Sequence, residues 1–200
     1  MAPKYRVNTP NFAEPKPLLL VDIDGVVSLF GRLDAFGRLD AFGASSSEPP
    51  PGPSGAGAIE GSLHAIDGIP HFLSATAASH LLRLARSFEL VWASGWEEKA
   101  NEHLPHLLGL PETLPFIRFS RGTSPNARTT HAHWKLESVT AYVGQRALAW
   151  VDDAFNPACH RWASARRAPT LLVCTAPEQG LTAREAQTLL RWARQLRARR

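Results

Sequence analysis

A chain of 200 residues, 44% apolar and 20% charged, is long enough to bury roughly 70% of its unfolded surface around one core. That composition excludes a disordered, collagen-like or disulfide-stapled protein. The net charge of +4 comes mostly from arginine, since Lys4, Lys16, Lys99 and Lys135 are the only lysines, and it gathers near the C-terminus, which permits a polyanionic partner.

The apolar runs at 18–21 and 147–151 fall far below the roughly 20 residues that span a bilayer, and the N-terminus lacks the apolar stretch of a signal peptide. The expectation is a soluble, cytoplasmic, non-secreted protein with no membrane partner. Cys159 and Cys174 are too few for a disulfide framework and wrongly spaced for zinc, so both are expected as buried thiols.

Residues 1–17 are polar and proline-dotted, an N-terminal arm to a single domain over 18–200. Leu18-Leu19-Leu20-Val21 is a continuous apolar run suited to a strand buried on both faces. An insertion at 28–74 follows. It holds the hexapeptide GRLDAF twice, at 31–36 and 37–42, then a tract rich in Ser, Pro and Gly at 43–57. Two copies do not make a solenoid, and a tandem duplication in a tolerant surface loop, with a flexible tract behind it, is preferred to a purpose-built binding element. Around Asp67-Gly68 the flanks 59–66 and 69–73 resemble a hairpin, read as a flap.

Helical and strand-like patterns then alternate. The spacing predicts a helix over 77–87, a strand over 90–93, a helix over 97–108 stopped by Gly109 and Pro111, and a short strand over 116–119. A helix over 134–143 ends at Gly144, followed by strand 147–151, helix 157–166, strand 170–174 and a last helix from Thr182. There Thr182 and Glu185 form a capping-box pair, and Ala183, Ala186, Leu189, Leu190, Ala193 and Leu196 make one apolar stripe. Such alternation implies a parallel sheet covered on both faces, with ligands beyond the carboxyl ends of its strands.

Polar residues collect at those ends. The first strand ends in Asp22-Ile23-Asp24-Gly25, the second in Ser94-Gly95 and the fourth in Asp152-Asp153, while Lys135 opens the helix after the third. Like charges about 4 Å apart repel by on the order of 4 kcal/mol at an effective dielectric of 20, so Asp22, Asp24 and Asp152 together call for a cation. An all-oxygen donor set suits Mg²⁺, which commonly shares its shell with a substrate phosphate. Asp22 is then placed to attack phosphorus as a nucleophile, and Asp24 to act as acid and later as base. The Ser94 hydroxyl and Gly95 amide would hold phosphate oxygens, and Lys135 would neutralise the transferring group.

With these residues in order, the chain from Leu18 to about Arg194 resembles the haloacid dehalogenase (HAD) superfamily of phosphohydrolases. LLLVDIDGV at 18–26 is similar to the first motif, LVWASG at 90–95 to the second, Lys135 to the third and LAWVDD at 148–153 to the fourth. The resemblance implies a Rossmann-like α/β fold with a parallel sheet of about five strands and helices on both faces. The stretch between Gly95 and Lys135 has room only for helix, strand and loop, so no large cap is expected there, and the flap hairpin follows strand one. It implies Asp22 as nucleophile, Asp24 as acid/base, Ser94 and Lys135 as the phosphate-holding pair, and Asp152 with Asp153 as the acidic metal end. It also implies the backbone carbonyl of Asp24 as a metal ligand. More narrowly, LVWASGWEEKAN at 90–101, His133-Trp134-Lys135-Leu136 and LAWVDD look like the small HAD domains grouped with RNA-repair proteins.

The function expected is a Mg²⁺-dependent phosphatase using an aspartyl-phosphate intermediate. Its substrate is a phosphorylated polynucleotide end, with a small nucleotide or sugar phosphate as the alternative and a non-catalytic binding protein as the contrasting class. His103 and His106 read as surface or packing histidines. His131 and His133 read the same way, and because they and Trp134 flank Lys135 a substrate-edge role is the alternative. Trp92, Trp150, Trp162 and Trp192 read as core, and Trp96 stands apart beside the phosphate loop. Arg191, Arg194, Arg197, Arg199 and Arg200 either complement the last helix's dipole or contact nucleic acid.

Overall fold

The computed structural model describes residues 15–29, 32–33, 39–40, 58–119 and 131–199. Strand β1 (Leu18–Val21) is the apolar run LLLV, and all four residues are fully buried. Each such leucine contributes about 1.5–3 kcal/mol relative to exposure. The short strands β2 (Ser28–Leu29), β3 (Arg32–Leu33), β4 (Leu39–Asp40) and β5 (Ala58–Ile59) come next, then the hairpin β6 (Gly61–Ile66) and β7 (Ile69–Ser74). Beyond it the chain alternates: α1 (Ala75–Leu84), β8 (Glu89–Trp92), α2 (Lys99–Leu108), a 3-10 turn (Ala132–Lys135) running into α3 (Leu136–Val143), β9 (Leu148–Asp152), α4 (Pro157–Ala165), β10 (Thr170–Cys174) and α5 (Ala183–Ala198).

The main sheet has the order β10-β9-β1-β8, all parallel, with β1 inside it. Alternate strand residues feed two cores. Leu19, Val21, Leu90, Trp92, Ala149 and Val151 face α1, α2 and α5, while Leu18, Leu20, Val91, Leu148 and Trp150 face α3 and α4. The segment predicted as a strand over 116–119 pairs through one parallel bridge, Phe116 to Trp92. There Trp92 N donates to Pro115 O at 2.8 Å and Ile117 N to Trp92 O at 2.9 Å. Among the described residues, four strands and one bridged segment therefore make up the sheet.

The flap turns at Asp67-Gly68, whose φ values of +50° and +77° suit a tight hairpin. Strand β2 pairs with β7 and makes it three-stranded, and Lys99 Nζ on α2 meets Asp67 Oδ2 at 2.8 Å. Of the duplicated hexapeptides, Arg32–Leu33 and Leu39–Asp40 pair antiparallel. The arm up to residue 14, the tract at 43–57 and Arg200 lie outside the described residues.

Several predicted boundaries move for physical reasons. Helix α1 starts earlier than predicted because the Ser74 hydroxyl caps it, accepting from Ala77 N at 3.1 Å. Helix α2 starts at Lys99 because Glu97 takes φ +49°, outside helical space, and its carboxylate accepts from Phe119 N at 2.9 Å. In α5 the capping box at Thr182 and Glu185 forms as predicted, and Ala186, Leu189, Ala193 and Leu196 are buried, although Ala183 at its open start is exposed. The expectation of two buried thiols fails at one of them. Cys159 is buried in the second core, but Cys174 is exposed because it ends the edge strand β10.

Candidate active site

The ladder between β1 and β9 extends one residue past β1, with Asp22 N donating to Val151 O at 3.0 Å. That register puts Asp22 beside Asp152 at the carboxyl ends of the two central strands. Lys135 reaches both from the 3-10 turn, its Nζ 2.7 Å from Asp22 Oδ2 and 2.8 Å from Asp152 Oδ2. The turn is fastened to the loop after β9 by Ala132 N, which donates to Ala154 O at 2.8 Å. The second oxygen of each carboxylate is also held: Asp22 Oδ1 accepts from Ile23 N at 2.9 Å and Asp152 Oδ1 from Ala154 N at 3.0 Å.

Burial dominates the electrostatics. Asp152 is fully buried, and its carboxyl is pushed up to about 7, chiefly by desolvation and then by the Asp22 charge, against the pull of Lys135 and the Ala154 amide. Asp153 is also raised, by burial first and Asp22 second. Burial alone would lower Lys135, but the Asp22 and Asp152 charges outweigh it and hold the ammonium above its ordinary value.

Asp24, next but one in the chain, points elsewhere. Trp96 Nε1–H donates to its Oδ2 at 3.0 Å, and the Trp96 ring meets His71 of the flap edge-on, centroids 4.8 Å apart. His71 Nδ1 is in turn 2.9 Å from Ser28 Oγ. Burial raises the Asp24 carboxyl and the Asp22 charge adds to this, despite the Trp96 hydrogen bond. Gly25, with φ +73°, passes so close to Asp153 that no side chain fits, and its carbonyl accepts from Thr175 Oγ1 at 2.8 Å.

Ser94 is buried at the end of β8 and Gly95 is exposed next to it. Among the described residues, a Cβ at Gly95 would meet only the Trp134 ring, at 3.9 Å, and their packing leaves that approach open. Trp134 is 36% exposed and leans edge-on against Phe119. His133 Nδ1 lies 2.9 Å from Asn156 Nδ2, and the His131 and His133 rings stand 6.5 Å apart beside it. His103 and His106 line a groove between α2 and the flap with His64 and Glu102.

The arginine end of α5 lies away from this rim. The helix starts next to the first-strand loop, where Leu181 N donates to Val26 O at 2.9 Å, and Trp192 near its other end stacks on Phe88, just before β8. Arg191, Arg194, Arg197 and Arg199 therefore sit toward the opposite edge of the sheet, up to about 24 Å along the helix axis. Arg191 Nη2 donates to Thr188 Oγ1 at 3.2 Å and Arg194 Nε to Leu190 O at 3.3 Å, contacts within their own helix.

The structure thus brings Asp22, Asp152, Asp153 and Lys135 together and sets Asp24, Ser94 and Gly95 around the same strand ends. Sequence reasoning missed Ser28, His71 and Thr175 as their supports. No local pattern marks them, because each partner lies on a distant element.

Residues 18–186 match the family described as the HAD domain in Swiss Army Knife RNA repair proteins. The chain belongs to this HAD family. No curated protein matches it. HAD domains are generally metal-dependent, and this HAD domain has a donor set that fits a hard divalent cation. Asp22, Asp152 and Asp153 each offer a carboxylate oxygen, all within 4.8 Å of one another, and such an all-oxygen acidic set suits a hard divalent cation. Among the described residues, Lys135 is the one cation paired with this cluster, through Asp22 and Asp152. Among the described residues of the HAD domain, no helix is long and apolar enough to cross a membrane.

Proposed function

We propose that this HAD domain is a Mg²⁺-dependent phosphatase that works through an aspartyl phosphate on Asp22 and acts on phosphorylated polynucleotide ends. The observation that carries the reading is the Lys135 ammonium held between Asp22 and Asp152, with Asp153 alongside. The metal, held by Asp22, Asp152, Asp153 and the Asp24 carbonyl, would supply positive charge to phosphate oxygens.

The chain's own groups supply the rest. An Asp22 carboxylate oxygen attacks phosphorus, the bond to the leaving oxygen breaks, and Asp24 gives that oxygen a proton. Asp24, now a carboxylate, takes a proton from water as the water oxygen attacks the phosphorus. Phosphate leaves and Asp22 is restored. The Ser94 hydroxyl, the Gly95 amide and Lys135 hold the phosphate oxygens as charge builds on them.

Three features favour a polynucleotide end over a small ester: the family's link to RNA repair, the open approach at Gly95 and the basic end of α5. The test is turnover of phosphorylated oligonucleotides, mononucleotides and sugar phosphates with Mg²⁺ or with excess chelator, plus mass spectrometry of acid-quenched protein. Oligonucleotide turnover, its loss in chelator and a phosphate on Asp22 are expected. Faster turnover of sugar phosphates overturns the substrate, and full activity in chelator overturns the metal.

A further inference from the structure

We propose that Trp96 is a positioning residue for the acid step: its indole N–H, bonded to Asp24 Oδ2, fixes which carboxyl oxygen of Asp24 carries the proton. The inference rests on the phosphatase reading. A carboxylic acid has one carbonyl-type oxygen and one hydroxyl oxygen, and the carbonyl oxygen is the better acceptor for an N–H. The Trp96 Nε1–H donated to Oδ2 at 3.0 Å therefore makes Oδ2 the carbonyl oxygen and leaves the proton on Oδ1.

The indole is itself braced. His71 of the flap packs edge-on against it, Ser28 Oγ lies within hydrogen-bond distance of His71 Nδ1, and Trp96 packs against the first core. Trp96 follows the phosphate-binding pair Ser94 and Gly95 directly, so one loop sets both the phosphate oxygens and the acid. In the step concerned, the bond from Asp22 to phosphorus forms and the phosphorus–leaving oxygen bond breaks. The proton on Asp24 Oδ1 moves to the departing oxygen, leaving Asp24 as a carboxylate.

The test is the leaving-group dependence of Trp96→Phe, which keeps an aromatic ring and removes the N–H. An alkyl phosphate, the better of a phosphorylated oligonucleotide and a sugar phosphate, needs its departing oxygen protonated. para-Nitrophenyl phosphate does not. The quantity to compare is kcat/KM, because it reports the step that expels the leaving group. Trp96→Phe should lose about tenfold or more on the alkyl ester and little on the aryl ester, and retained aryl turnover certifies the fold. In an Asp24→Asn background Trp96→Phe should cost nothing further. Equal losses on both esters, no loss on either, or an additive loss with Asp24→Asn overturns the role of Trp96 while the phosphatase reading stands. No wild-type turnover of either ester overturns both.

Discussion

Gly25 stands so close to Asp153 that a Cβ at position 25 would lie 2.4 Å from the Asp153 carboxylate oxygen. The glycine also holds φ +73°, where an L-residue costs about 1–2 kcal/mol. Gly25→Ala should therefore lower stability by about 1–3 kcal/mol and displace Asp153. Its affinity for Mg²⁺ should fall roughly tenfold or more. Denaturant unfolding and a Mg²⁺ titration check both, and an unchanged affinity would show that Asp153 does not serve the metal.

Asp22 and Asp24 have different neighbours, and their substitutions should differ accordingly. Asp22→Asn removes the attacking oxygen and should abolish turnover. Asp24→Asn removes the acid and should slow an alkyl ester by about 10²–10⁴-fold. Lys135 keeps Asp152 as a partner in the first variant, so its thermal unfolding should stay close to wild type. Undiminished turnover by purified Asp22→Asn would falsify the covalent mechanism.

The Asp152 carboxyl gives a pH dependence whose sign is fixed. Its folded value of about 7 lies above the ordinary 3.8, so the folded chain holds the proton more tightly. The associated stabilisation is present in acid and is lost as pH climbs from about 4 to about 7, a change on the order of 4 kcal/mol. In chelator, stability should fall across that window, and Asp152→Asn should flatten the fall. Mg²⁺ competes with the proton, so it should raise the midpoint of thermal unfolding more at pH 8 than at pH 5. Equal Mg²⁺ shifts at both pH values would remove Asp152 from the metal site.

The arginines of α5 test the polynucleotide partner apart from the chemistry. Replacing Arg191, Arg194 and Arg197 with Gln should weaken oligonucleotide binding. It should also flatten the salt dependence by roughly 0.7 in log-log slope for each lost contact. Hydrolysis of a small aryl phosphate should not change, because these residues lie toward the other edge of the sheet from Asp22. An unchanged oligonucleotide affinity and slope would leave the cluster as a helix end and move small phosphate esters ahead as substrates.

The elements legible in the sequence are those whose cause is local. β1 and β9 are unbroken apolar runs because both faces are covered, and α5 carries its own capping box and stripe. The four carboxyl-end motifs follow from the same alternation, which is why Asp22, Asp152 and Lys135 meet where their spacing suggested. What the sequence concealed depends on partners far along the chain. Glu97 leaves helical space while its carboxylate serves Phe119, and Asp24 turns to an indole 72 residues away. The exposure of Cys174 depends on which strand lies at the sheet edge, a property of strand order that no run of residues encodes.

On the polynucleotide reading, the direction of α5 makes the molecule a ruler. One end of a rigid helix stands beside the loop after β1 that follows Asp22 and Asp24, and the arginines lie about 12–24 Å along its axis, so the helix sets the span between the two contacts. An oligomer too short to bridge that span engages one site at a time. Once it can bridge, the second contact becomes intramolecular and binding tightens without any new group on the protein. Affinity should therefore rise stepwise with oligomer length and then level off, while the rate of phosphate removal from bound substrate stays the same.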